Sequence, residues 1–196
     1  MAFPKKYHRV PDAVAKTEFI PPPGVVFELC ESTIGFVSRS LNMVLDYTPE
    51  TLPVLDHYLR QVPLDVEGTI ELVAVAAGVY FGEVARRSFG GTWQFDETKP
   101  HGTWRVDLPG RVSFAPVSYA TSAILCEDAT DDGELVVPQK MTAMVEAALE
   151  AKGEVRIDEY YSLSGRLEVL NYVVELCVAN SAPASDPDPD ADGDSD

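Results

Sequence analysis

The segment "IELVAVAAGVYFGEVARRSFGG", residues 70–91, constrains the fold more than any other part of the chain. Its first half is apolar on every side, and a helix of that kind must be covered all round. The longest strongly apolar run, Leu72 to Gly82, is 11 residues. A membrane span needs roughly 20, so the run reads as a core helix. Ala74, Ala77, Gly78 and Gly82 leave room for neighbouring helices to approach closely. The spacing predicts a helix over about 68–89, central to the domain, with Gly90 and Gly91 as its stop.

The rest of the chain is read around that helix. Leu29, Cys30, Thr33, Phe36, Val37, Leu41 and Val44 fall at helical spacing and predict a first helix over about 25–45. "LDYTPETLPVLDHYL" is a helix start, with Thr48 as N-cap, Pro49 at the first position and Tyr47 stapled onto Leu52. Leu52, Leu55 and Leu59 form its buried stripe. Pro53 predicts a slight bend, and Val62-Pro63 the end. "TWQFDE", "TWRVDL" and "RVSFAP" alternate like strands, with "LPG" as the turn between the last two. Helical spacing returns after Pro116 and after Pro138. "GEVRIDEYY" is expected to be a further strand, and Leu163, Leu167, Leu170, Val174 and Cys177 line a last helix.

The expected fold class is therefore α+β: helices packed around a central apolar helix (about 68–89), with a small antiparallel sheet (about 91–114). At 196 residues the chain fits one domain with tails. Residues 1–23 read as an irregular arm, 24–180 as the single domain, and 181–196 as a disordered acidic tail. The N-terminus has basic residues but no apolar stretch behind them, so no secretory signal is read there and a cytoplasmic location is expected.

The formal net charge is −17, of which six aspartates between Asp186 and Asp196 supply six units. Such a chain repels phosphate backbones and anionic lipid, so neither nucleic acid nor membrane is expected as a partner. A basic protein would be steered towards it.

The end of the central helix is the one place where charge, glycine and tryptophan meet. Glu83 and Arg87 are spaced as a helix ion pair, and Arg86 and Arg87 lie where positive charge complements the helix dipole. The same Glu beside two Arg would bind a carboxylate or phosphate if a cleft lay over it. Glu83, Arg86 and Arg87 are thus candidate ligand-binding residues, with Asp56 (or His57) arriving from the preceding helix. Asp46, Asp56 and Glu83 sit in apolar surroundings and are candidates for shifted acidity.

"LDYTPETLPVLDHYL" followed by "GVYFGEVARRSFGGTW" resembles a family of uncharacterised bacterial proteins, a domain of unknown function. Its pattern is L-D-Y-[ST]-x-x-[ST]-L, then G-x-Y-x-G-E with a nearby G-x-W. Leu45, Asp46, Tyr47, Leu52, Gly78, Tyr80, Gly82, Glu83, Gly91 and Trp93 match it. The resemblance covers about 45–93 and implies no activity.

Other chemistries find little footing. His8, His57 and His101 are far apart and lack metal-ligand spacing. Cys30, Cys126 and Cys177 each lie in a hydrophobic stretch and read as small buried hydrophobes. No GxSxG, SxxK, GxGxxG or GxxxxGK[ST] occurs. "DATDDGELVVPQ" matches part of an EF-hand loop, with Asp128, Thr130 and Asp132 at the first, third and fifth places. Gln139 stands where a bidentate Glu is needed, so Asp128 and Asp132 are weak metal candidates only. No cofactor is expected. The reading is a non-enzymatic cytoplasmic interaction protein, adaptor or immunity-type, using an acidic surface against a basic partner. An enzyme with an unfamiliar site around Glu83, Arg86 and Arg87 is the alternative, and a weak Ca²⁺-responsive module ranks below it.

Overall fold

A computed structural model describes residues 21–128, 135–153 and 155–181. Most of the arm and tail expected from the sequence lies outside these residues. The helices are α1 (Gly24–Leu41), α2 (Leu52–Leu59), α3 (Thr69–Phe89), α4 (Pro116–Leu125), α5 (Thr142–Glu150), α6 (Ile157–Tyr160) and α7 (Leu163–Ala179). The strands are β1 (Thr92–Gln94), β2 (Arg105–Leu108), β3 (Val112–Phe114) and β4 (Leu135–Val136), and they form an antiparallel sheet in the order β1-β2-β3-β4. The fold is α+β, as the sequence predicts.

Helix α3 is the centre. A two-layer arrangement would leave one of its faces exposed, yet Ala76 to Arg86 are all buried. Its main neighbours are α4 on one side and α1 on another. Gly78 makes the α4 contact possible: a Cβ there would stand 2.5 Å from the Val117 Cα and 2.7 Å from the Pro116 carbonyl oxygen. Phe81 carries the core into the sheet, meeting Phe114 edge-on at 5.7 Å between ring centroids. Each large apolar side chain buried in this way contributes about 1.5–3 kcal/mol relative to exposure.

The sheet alternates as a half-buried sheet should. Val106 and Leu108 of β2, with Val112 and Phe114 of β3, point into the core. Val106 pairs with Phe114, and Trp93 of β1 pairs with Val106. Strand β4, which the sequence pattern does not anticipate, adds Leu135 opposite Phe114.

Several local expectations are corrected. Helix α1 ends at Leu41, because Asn42 turns left-handed (φ 53°) and returns its N–H to the Ser38 carbonyl. Val44 is consequently exposed and Leu45 buried. Thr48 does not cap with its own side chain. Asp46 instead closes the turn ahead of it, accepting from the Thr48 N–H and from the hydroxyls of Thr48 and Thr51. A 3-10 turn over Pro49–Thr51 then leads into α2. Pro53 therefore falls in the first turn of α2, where its missing N–H has no intrahelical partner to lose. The expected strand in "GEVRIDEYY" is replaced by the single helical turn α6, whose Tyr160 N–H reaches the Arg156 carbonyl. Cys30 and Cys177 are buried as expected, but Cys126 is exposed in a left-handed position at the end of α4.

Candidate functional site

Glu83 projects from the last turns of α3 and is 0% exposed. Its carboxylate accepts four hydrogen bonds. Arg86 donates from Nε to Oε2 at 2.8 Å and from Nη2 to Oε1 at 2.9 Å. Arg87 Nε donates to Oε1 at 2.7 Å, and the Trp93 indole N–H donates to Oε2 at 3.2 Å. Burial works against ionisation of Glu83, but the bonds from Arg86, Arg87 and Trp93 outweigh it and hold the carboxyl below its ordinary value. In return, the bond to Glu83 raises the Arg86 guanidinium.

Local sequence explains how Trp93 reaches this point. Gly90 (φ 73°) reverses the chain after α3 and sends β1 back alongside it. Gly82 then vacates the space the indole needs: a Cβ on it would stand 2.5 Å from Trp93 Cη2. Gly82 makes the room and Glu83 takes the N–H.

The loop before α2 closes the other side. Tyr47, at a left-handed φ of 64°, stacks on Tyr80 with ring centroids 5.2 Å apart. The Arg87 guanidinium lies 3.8 Å from the centre of the Tyr47 ring, within cation–π range. The Tyr47 hydroxyl donates to Glu31 of α1 at 3.2 Å. Burial, and then the Glu83 charge, push the Cys30 thiol well above its ordinary value. A thiol so held is unreactive.

A pocket of about 200 Å³ opens beside this cluster, lined by Pro21–Pro23, Arg86, Gly91, Thr92 and Trp93. Glu83 is not part of its lining. The cluster brings Glu83, Arg86 and Arg87 together as the sequence predicts, with Glu83 and Arg86 buried, Arg87 at the surface, and both arginines bonded to the carboxylate.

Asp56 does not join them. It is 4% exposed and is spent on α7, 107 residues away in sequence: Oδ1 accepts from the Leu163 N–H at 2.6 Å. Oδ2 accepts from the Ser164 N–H at 3.2 Å and the Ser164 hydroxyl at 2.6 Å. Burial raises its carboxyl above the ordinary value, against the opposing pull of the Ser164 and Leu163 bonds. Asp46, exposed, is lowered by its bonds from Thr48. His57 is exposed and meets Gln61, and His101 is exposed against the Trp104 ring at 4.7 Å. His8 lies outside the described residues.

Among the described residues, no group of three or more His, Cys, Asp or Glu side chains is placed to hold a metal ion. Asp128 is exposed, and Asp132 lies outside those residues. Within the EF-hand-like stretch, Leu135–Val136 is β4, paired with β3. No described helix is long and apolar enough to cross a membrane.

Two further hollows lie away from the Glu83 cluster. One, about 390 Å³, sits between α1, α2 and the start of α3. The other, about 480 Å³, lies against α7, where the Arg166 guanidinium rests over Tyr119 at 4.8 Å and Tyr160 at 4.5 Å. Sequence reasoning singled out neither.

Comparison of the chain with protein-family models, with curated proteins and with solved structures found no match.

Proposed function

We propose that this chain is a non-enzymatic, cytoplasmic interaction protein of bacterial type, using its acidic surface against a basic partner as an adaptor or immunity protein does. One observation carries the reading. The buried carboxylates that chemistry would draw on, Glu83 and Asp56, are saturated by partners within the fold. Other carboxylates among the described residues stand at the surface, as at Glu28, Glu50, Asp65, Glu67, Glu71 and Glu97. A charge of −17 steers a basic protein and disfavours nucleic acid and anionic lipid.

The enzyme alternative asks more of the molecule. For Glu83 to act on a substrate, four hydrogen bonds would have to open in a buried site. Arg86, buried with Glu83, would have to leave the carboxylate that balances it, which is costly where both charges are desolvated.

The test is recovery of partners from lysate on the full-length chain at low and high salt. A basic protein retained at low salt and released at high salt is expected. Recovery of no salt-sensitive partner would sink the reading.

A further inference from the structure

The hollow against α7, about 480 Å³, is within the size range of binding cavities. Tyr119 of α4, Leu135 of β4, Leu149 of α5 and Val169 of α7 give it an apolar floor. Its rim is apolar as well, and open to solvent. Val155 and Tyr160 both line the hollow, yet they are 51% and 46% exposed. Ile157, between them in sequence, is 72% exposed. Single exposed apolar side chains are ordinary, but three on one short segment beside an apolar hollow mark a contact surface.

Charge decides what fits. The described residues lining the hollow include two cations, Lys152 and Arg166, and two carboxylates, Glu159 and Glu168. The cations are engaged within the fold. Arg166 Nε donates to the Tyr160 carbonyl at 3.0 Å, and its guanidinium rests over the Tyr119 and Tyr160 rings. The Lys152 ammonium lies 3.8 Å from the centre of the Tyr172 ring, which is not part of the lining. Glu159 and Glu168 are exposed and form no ion pair among the described residues. The charge left for an occupant is therefore negative, and it belongs to residues of the hollow itself.

We infer that this hollow is where the acidic surface takes its partner: the occupant is an amphipathic basic segment of another protein. It buries apolar side chains on Leu135, Leu149, Val155 and Val169, and sets Lys or Arg side chains against Glu159 and Glu168. Laying an apolar face into a hydrophobic groove is a common way to hold such a segment. The inference rests on the interaction reading above and gives it a location.

The test titrates the isotopically labelled full-length chain with a short synthetic peptide carrying Leu at helical spacing and Lys elsewhere. A matching Leu/Glu peptide is the control. Saturable, salt-sensitive amide shifts confined to residues 149–153 and 155–169, with Tyr119 and Leu135, are expected with the Lys peptide alone. The double variant Glu159→Gln, Glu168→Gln, at exposed positions, should weaken that binding about tenfold through lost electrostatic attraction, with an unchanged melting temperature. If the Leu/Glu peptide fills the hollow instead, and Lys152→Gln releases it, the cations choose the occupant and the inference is overturned. If the Lys peptide binds elsewhere, or equally to the double variant, the hollow is refuted and the interaction reading stands. If it binds nowhere, the inference falls, and recovery of a basic partner from lysate still decides the interaction reading. If Lys5→Glu with Lys6→Glu moves the same signals before any peptide is added, the chain's own arm is the occupant and the inference is overturned. Shifts that depend on protein concentration would mean that a second copy fills the hollow, and they overturn it equally.

Discussion

The backbone N–H of Tyr47 donates to the hydroxyl of Tyr80 at 2.8 Å, while the two rings stack. This contact ties the loop before α2 to the middle of α3, and it fixes Tyr47 in a left-handed conformation that non-glycine residues rarely adopt. Tyr80→Phe keeps the stacking but removes the acceptor. The part-buried N–H is then left unsatisfied, and a loss of about 1–2 kcal/mol is expected. Denaturant unfolding of the variant checks it; an unchanged midpoint would show that water replaces the hydroxyl.

Glu83→Gln removes the charge that balances Arg86 and Arg87. An uncompensated buried cation costs about 3–5 kcal/mol. The pH dependence has a definite sign. The folded-state value of Glu83 is lowered below its ordinary 4.5. Its stabilisation is therefore present above pH 4.5 and lost as pH falls through the folded value. The stability gap between the native chain and Glu83→Gln should shrink in acid.

Asp56 should behave oppositely. Its value is raised above 3.8, so the fold favours the protonated form. That contribution is complete below 3.8 and fades as pH rises through the folded value. Between neutral pH and about 4, the native chain should gain stability relative to Asp56→Asn as pH falls. Asp56→Ala strips the acceptor from two N–H groups at the start of α7 and should cost about 1–3 kcal/mol. Chemical unfolding across this pH range measures both.

Gly78→Ala separates propensity from packing. Alanine is the better helix former by about 1 kcal/mol. Its Cβ, however, would overlap the Val117 backbone, and α4 would have to shift away from α3. A net loss of about 1–3 kcal/mol is expected from the overpacking. A variant as stable as the native chain would show that the α3–α4 contact yields easily.

The stretch from Asp128 to Gln139 should not bind Ca²⁺ specifically below about millimolar concentration. Its last position is the neutral Gln139, exposed at the start of a 3-10 turn, and Leu135–Val136 is committed to the sheet. Calorimetry is the check, with Asp128→Ala as control. A micromolar, one-site isotherm lost in that variant would overturn the expectation.

The sequence alone determined α3, its approximate ends and its central place, because an all-round apolar run has no stable position except inside. It also determined three of the strands and the Glu83–Arg87 pair, since both follow from local spacing. The tertiary structure decided what local spacing cannot encode. Asp56 looks like a free carboxylate in its own segment, until α7 arrives 107 residues later to take both its oxygens. Glu83 looks like a surface partner of Arg87, until Trp93 and Arg86 close over it. Leu135–Val136 is too short to declare itself and becomes a strand only because β3 offers it an edge. "GEVRIDEYY" alternates like a strand, yet no edge is given to it, and it closes into one helical turn. Periodicity fixes which face of an element is apolar. Which partner covers that face, and which polar group is thereby buried and must find a bond, is settled only when distant segments meet.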